Sequence, residues 1–263
     1  MPLLAAVLAW AIGVLVNHLA DVLPRAGSLG RPHCLACIGP RPLVAWSALL
    51  AALSRRPHCE YCGTLRGARP VLVEITALAG GLGLWLWHPE VGRWLAALVL
   101  LAWFLVIGVI DLEHRLIPHR ATIPAALMIG VIGWLDPARG AVKTLSGGAA
   151  GLLLFFLLYL LGGAFARLAS RLRGRPLEEI AFGFGDVTLA GVIGLAVGWP
   201  GVIVALFLGI FAAGAFSLGY LLLMLARRRY SAFAAIPYGP FMILGAFLVY
   251  FGGRTALERL LGG

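Results

Sequence analysis

Long apolar runs, separated by short polar turns, make up most of this chain. A helix that crosses a bilayer needs ~20 mostly apolar residues, and the runs at about 2–20, 71–88, 94–110, 121–135, 142–165, 187–199, 201–226 and 236–253 predict about eight such helices. Two of them, 121–135 and 187–199, are short. A short or glycine-interrupted helix is tolerated where protein or water, and not lipid, lines its backbone. The first run has neither a basic leading segment nor a small-residue cleavage site, so it reads as a retained helix and not as a secretory signal.

Composition agrees with the pattern. With 61% hydrophobic and 12% charged residues, the chain is too apolar for a soluble domain of 263 residues. The fold class predicted is an all-α polytopic membrane protein. Most Lys and Arg fall in alternate loops, leaving Arg93, Arg139, Lys143, Arg254 and Arg259 for the opposite side. By the positive-inside bias both termini are then periplasmic or extracellular. Headgroups and topology account for the net charge of +10, so no nucleic-acid partner is called for. The tryptophans read as interfacial belt residues, and Arg227, Arg228 and Arg229 as headgroup anchors for their helix.

One polar segment, residues 21–70, breaks the apolar pattern. It holds all four cysteines, in two echoing turns, Pro32-His33-Cys34-Leu35-Ala36-Cys37 and Pro57-His58-Cys59-Glu60-Tyr61-Cys62. Paired C-x-x-C turns with a 21-residue gap are close to zinc-ribbon spacing and can offer four thiolates to a tetrahedral Zn2+. Two disulfides are the structural alternative, disfavoured on the reducing cytoplasmic side. A four-thiolate metal has no open coordination position, so Cys34, Cys37, Cys59 and Cys62 would stabilise a segment too small for a good core without doing chemistry. His33 and His58 read as turn residues.

Acidic residues are scarce, and Glu74, Asp111, Glu113 and Asp186 lie in or at the ends of apolar runs, where an ionisable group is costly and points to function. Asp111 follows Leu105 to Ile110 and precedes a polar turn ending at Ile117-Pro118. Asp186 closes Phe182-Gly183-Phe184-Gly185. The loop count brings both to one membrane face. Two carboxylates held close in a poorly polar site share one proton, which is the condition for aspartyl hydrolysis. Gly183 and Gly185 would leave room there for an extended substrate backbone. The bland reading is a helix-capping Asp after a glycine-rich turn. Glu74 reads first as a balance to cytoplasmic arginines or to a helix dipole, and otherwise as a group that positions the substrate amine or belongs to a methyl-transfer site. Glu113, two residues past Asp111, would point away from it as a solvated group.

With these residues in view, the chain resembles the bacterial prepilin peptidase family, the type IV leader peptidases that also serve type II secretion. Gly13 to Leu19 with Leu23-Pro24-Arg25, the two cysteine turns with Arg69 to Glu74, Asp111-Leu112-Glu113 with Ile117-Pro118, Gly183 to Leu189, and Ile236 to Phe241 are similar to its motifs in order. The resemblance implies three parts: residues 1–20 as a first transmembrane helix, 21–70 as a cytoplasmic four-cysteine zinc domain, and 71–263 as a seven-helix peptidase core of the Gly-x-Gly-Asp aspartic type. It further implies cleavage of type IV prepilins or pseudopilins after a glycine, on the cytoplasmic face of the inner membrane. Methylation of the new N-terminus with S-adenosylmethionine is implied by resemblance alone. Thr188 stands where the family commonly has Lys, and His119 where Asn often follows Ile-Pro. The alternatives from other classes are a proton-coupled transporter with the two Asp as a relay, a presenilin-type protease, and a non-catalytic assembly scaffold. Ile110 before Asp111 and the doubled C-x-x-C argue against the presenilin type.

Overall fold

The structure is a computed structural model that describes residues 2–25, 30–55, 58–173, 183–227 and 237–261. Among them the secondary structure is helical, with isolated bridges only at His33–Pro40 and His58–Leu65. The chain forms two compact units, Met1–Val109 and Ile110–Gly263.

The first unit contains α1 (Pro2–Val22), the short α2 (Ala48–Leu53), α3 (Arg69–Trp87) and most of α4 (Val91–His114). α1 and α3 pack through small residues at four-residue spacing: Ala5, Ala9 and Gly13 on one helix, Ala77 and Gly81 on the other, all buried. Such a stripe lets backbones approach where lipid supplies no hydrophobic drive for association. A Cβ on Gly13 would lie 2.8 Å from the Glu74 Cα, and one on Gly81 would collide with the Ala9 Cβ. Trp94 of α4 closes the unit, donating its indole N–H to the Gly81 carbonyl at 2.9 Å and meeting Trp85 edge-on.

α2 was not legible as a separate element in the sequence. The run Leu43 to Leu53 is too short to span and was absorbed in the polar segment, yet it folds as a single helical turn at Leu43–Trp46 followed by α2. Ser47 caps α2 by accepting the Leu50 N–H.

The second unit comprises the last turn of α4 with α5 (His119–Leu135), α6 (Gly140–Arg173), α7 (Phe184–Val197), α8 (Gly201–Ala226) and α9 (Gly239–Leu261). α7 is its axis. Val187, Leu189 to Gly194 and Ala196 are all buried, the signature of a helix apolar all round and enclosed by others. At 14 residues it is about 21 Å long, short of a ~30 Å hydrocarbon core. Glycines bring α6 onto it: Gly147, Gly148 and Gly151 face Ala190, Gly191 and Gly194, so that a Cβ on Gly147 would strike the Gly194 carbonyl at 2.5 Å. Gly209 and Gly245 do the same for α8 against α9.

α6 runs farther than the apolar pattern indicated. Beyond the apolar run ending near 165, the basic residues from 166 continue as helix through Arg173, since Arg, Leu and Ala all favour helix and no Gly or Pro intervenes before Gly174. The rest of that stretch, 174–182, lies outside the described residues, as do Arg228, Arg229 and Ile236. By length and composition α1, α3, α4, α6 and α8 can cross a membrane, while α5, α7 and Gly239–Gly252 are shorter apolar helices.

Candidate active site and metal centre

In the second unit, three chain breaks converge on two carboxylates. α4 ends just past Asp111, where Arg115 adopts a left-handed conformation (φ 51°) and Ile117-Pro118 redirects the chain into α5. Asp111 is 5% exposed, and its Oδ2 accepts the Gly239 N–H at 2.9 Å, at the first residue of α9. A Cβ on Gly239 would lie 2.6 Å from the same oxygen, so any larger residue there displaces the carboxylate. Asp186 sits in the first turn of α7, its Oδ2 accepting the Gly183 N–H at 2.9 Å. Both acids thus keep one oxygen on a backbone donor. They lie within electrostatic reach of each other, and Tyr238 lies within reach of Asp186.

Close packing produces this meeting. A Cβ on Gly185 would lie 2.8 Å from the Ile117 Cβ and 3.0 Å from its carbonyl oxygen. The missing side chain therefore seats the start of α7 on the α4–α5 turn, a role that precedes any substrate. Gly183 is different: it is exposed, and a Cβ there would meet only Asp186 Oδ2, at 3.6 Å, and the Gly185 nitrogen at 3.9 Å. Aromatic rings flank the acids, with Phe184 edge-on to His119 and to Tyr159, and Tyr238 tilted against Phe155. Thr188 turns back to donate its hydroxyl to the Gly185 carbonyl at 2.8 Å. Glu113 is exposed while Asp111 is buried.

Glu74 belongs to the first unit and is fully buried. One carboxylate oxygen accepts Asn17 Nδ2 at 3.2 Å and the Ala48 N–H at 2.6 Å. The other accepts the Ser47 hydroxyl at 2.6 Å and the Leu49 N–H at 3.1 Å. Four donors from two chain segments compensate its burial and clamp the first turn of α2 to α1 and α3. The charge does favour a helix N-terminus, but that of α2, an element the sequence did not disclose. Glu74→Gln is expected to turn an amide NH2 toward these donors and lower stability by about 2 kcal/mol or more. The check is thermal unfolding of the purified variant together with its rate of proteolysis within residues 21–70.

The cysteines of the same unit come together. All four Sγ atoms lie within 4.8 Å of one another, with Cys34–Cys62 at 3.8 Å and Cys37–Cys59 at 3.6 Å. Sulfurs tetrahedrally bound at 2.3 Å would be about 3.8 Å apart, whereas a disulfide needs about 2.05 Å. The two turns repeat each other: Cys34 N–H donates to Gly39 O and Ile38 N–H to Cys34 O, as Cys59 N–H donates to Thr64 O and Gly63 N–H to Cys59 O. The equivalent Ile38 and Gly63 are both left-handed, at φ 61° and 68°. The Thr64 hydroxyl and N–H hold the Cys62 thiol down at about 6. At Cys37 the Gly39 N–H pulls downward, but the neighbouring sulfurs and burial push the thiol up to about 12. Four sulfurs this close do not all ionise alone; a dication among them would satisfy them all. The donor set thus fits a metal.

Residues 98–218 match the family model of the type IV leader peptidase family. The chain is 32% identical over 240 residues to a prepilin leader peptidase/N-methyltransferase of Burkholderia pseudomallei (strain 1026b), covering 88% of this chain and 69% of that protein. It is 30% identical to the Aeromonas salmonicida (strain A449) protein of the same name, covering 86% and 72%. It is also 34% identical over 187 residues to the type 4 prepilin-like proteins leader peptide-processing enzyme of Escherichia coli O78:H11 (strain H10407 / ETEC), covering 69% and 62%. No solved structure matches the chain. With its apolar helices this is an all-α, multi-pass membrane protein. It belongs to the type IV leader peptidase family.

The site lines up with what the sequence could and could not offer. Asp111 and Asp186, singled out by their cost in an apolar context, each accept a backbone N–H at a helix junction of the second unit. Gly239 was missed as an individual residue, although it lies within Ile236 to Phe241, one of the segments similar to the family's motifs.

Proposed function

We propose that the protein is a membrane aspartic endopeptidase that removes the N-terminal leader of type IV prepilins or pseudopilins, with Asp111 and Asp186 as the catalytic pair. The observation that carries this reading is the convergence of two costly carboxylates, each fixed by one backbone N–H, at the junction of α4, α5, α7 and α9. The names of the relatives supply the substrate class.

Each carboxylate has one oxygen held and one left for chemistry. Between them the pair carries one proton. The ionised member takes a proton from water as the water attacks the scissile carbonyl; the protonated member donates to the developing oxyanion and then to the departing amine. Gly183, open and beside Asp186, leaves space for a substrate backbone after whose glycine the chain is cut. The reaction takes place at the cytoplasmic face of a bacterial inner membrane, with both termini periplasmic.

The relatives' names also carry N-methyltransferase activity. S-adenosylmethionine would then supply the methyl group received by the amine that cleavage exposes. The experiment that tests the whole reading is incubation of purified protein with a prepilin, with and without S-adenosylmethionine, and mass measurement of the product. Loss of the leader, with one added methyl group only when the donor is present, is the expected result; an intact prepilin refutes it.

For the four cysteines we propose a structural Zn2+. Replacing Cys34 and Cys59 together by Ser is expected to abolish bound zinc, measured by elemental analysis of the purified protein, and to make residues 21–70 protease-sensitive. One zinc per chain in that double variant would contradict the four-thiolate site.

A further inference from the structure

The run from Pro42 to Leu53 is apolar except for Trp46 and Ser47, and it is bracketed by Arg41 and by Arg55-Arg56. It is too short to span a bilayer. Its large side chains nevertheless enter no core: Leu43 is 74% exposed and Leu53 78%, with Val44 and Leu50 also open. A contiguous apolar surface of this kind calls for an apolar partner.

Hydrogen bonds fix the depth of this run against α1 and α3, both long and apolar enough to cross a membrane. The ion pair of Asp21 with Arg69 joins the end of α1 to the start of α3 and marks their polar rim. Glu74, which holds the first turn of α2, lies about 7 Å farther into α3 than Arg69 at 1.5 Å per residue. Trp10, whose indole N–H donates to the Ser47 hydroxyl at 3.2 Å, lies about 16 Å from Asp21 along α1. Both ends of the run stand higher. Arg41 lines a hollow with Asp21 and Val22, and His58 lines another with Arg41. The chain thus leaves the rim after Arg41, dips to Ser47 and is back by His58.

The polar groups of the dip are closed within the protein. The Ala48 and Leu49 N–H groups go to Glu74 and the Leu50 N–H to the Ser47 oxygen. The Trp46 indole N–H goes to the Arg41 carbonyl at 3.0 Å, and the Ala45 carbonyl accepts from Arg66 at 2.9 Å. At a wet surface, water serves the free N–H groups of a helix start. Hydrocarbon offers none, so backbone at that depth must find its partners in the protein.

We propose that residues 42–54 form a re-entrant segment inserted into one leaflet of the bilayer. Its open face of Leu43, Val44, Leu50 and Leu53 lies against lipid acyl chains, with Arg41 and Arg55 at the level of anionic headgroups. Glu74 then stands in for water at the start of α2. The two cysteine turns, one before the segment and one after it, are held at the bilayer surface. This inference rests on the membrane class of the chain and not on the peptidase reading.

The test reads depth directly. Full-length protein with a fluorescent amino acid in place of Leu50 is reconstituted into nanodiscs of phosphatidylethanolamine and phosphatidylglycerol. A second sample carries the same probe in place of Glu60, an exposed residue of the second cysteine turn. Nitroxides on the lipid acyl chains are expected to remove most of the emission from position 50 and little of that from position 60, and aqueous iodide to do the reverse. Iodide quenching at position 50 places the segment in water and overturns the proposal. Protection there from both quenchers means that protein covers the face, whether a second copy or a bound substrate, and overturns it equally. If circular dichroism shows that the probe at Leu50 unfolds the chain, the probe at the more open Leu43 decides by the same outcomes.

Discussion

Asp111→Asn and Asp186→Asn are each expected to reduce leader cleavage by on the order of 10³-fold or more, the scale of a lost acid–base group. The geometry makes this a clean experiment. Asparagine keeps an oxygen that can accept the Gly239 N–H at position 111 or the Gly183 N–H at position 186, so the packing that surrounds each acid is retained. What goes is the ability to hold and pass a proton. Neither variant should alter helical content or thermal unfolding in detergent by more than a small amount, because the volume is unchanged and the backbone donor stays satisfied. The measurement is conversion of a purified prepilin by each purified variant, with circular dichroism as the control for folding. Wild-type conversion by either variant would remove that aspartate from the pair. An inactive variant that also unfolds would point instead to a capping role for the side chain, the bland reading that a Gly-rich helix start allows.

How much of this was legible follows from what each feature depends on. Helices long enough to span announce themselves locally, as at Val91–His114 and Gly201–Ala226, because every residue of an apolar run contributes to the signal. The acids announced themselves by contrast with those runs. The cysteine turns were legible because both copies carry the same six-residue pattern, and the structure gathers their sulfurs within 4.8 Å. The illegible features all depend on partners distant in the chain. Glu74 looked like a charge at the start of α3, and only the fold reveals that Ser47, Ala48 and Leu49 converge on it. Gly185 invited a reading in terms of substrate access, whereas the space beside it is filled by Ile117. Arg66 was one basic residue among many in a loop until its Nε proved to have no partner. In a chain with 35 glycines, no periodicity separates those that admit a neighbouring backbone from those that merely turn.

Gly239 is the sharpest instance, and its substitution carries the second large expectation. In Gly239→Ala the new Cβ would stand 2.6 Å from Asp111 Oδ2 and 3.2 Å from the carboxyl carbon, closer than such atoms pack. One of the two must move. The carboxylate is the free end of a side chain, while Gly239 begins α9 among buried neighbours such as Met242, Ile243 and Ala246, so the carboxylate yields and the helix stays. Asp111 then loses its 2.9 Å bond to the Gly239 N–H and the position that bond fixes. Displacement of a reacting group by ~1 Å can cost about 10²-fold in rate, and that fall is expected in kcat with KM nearly constant, since no substrate contact is removed. Gly185→Ala gives the contrasting outcome. Its Cβ meets the backbone of Ile117, which cannot swing aside, so it should lower thermal stability as well as activity. Measuring kcat, KM and unfolding for both variants separates the two mechanisms. Cleavage by Gly239→Ala at the wild-type rate would mean that the Gly239 N–H does not hold Asp111 in its working position, and the second carboxylate would need another anchor.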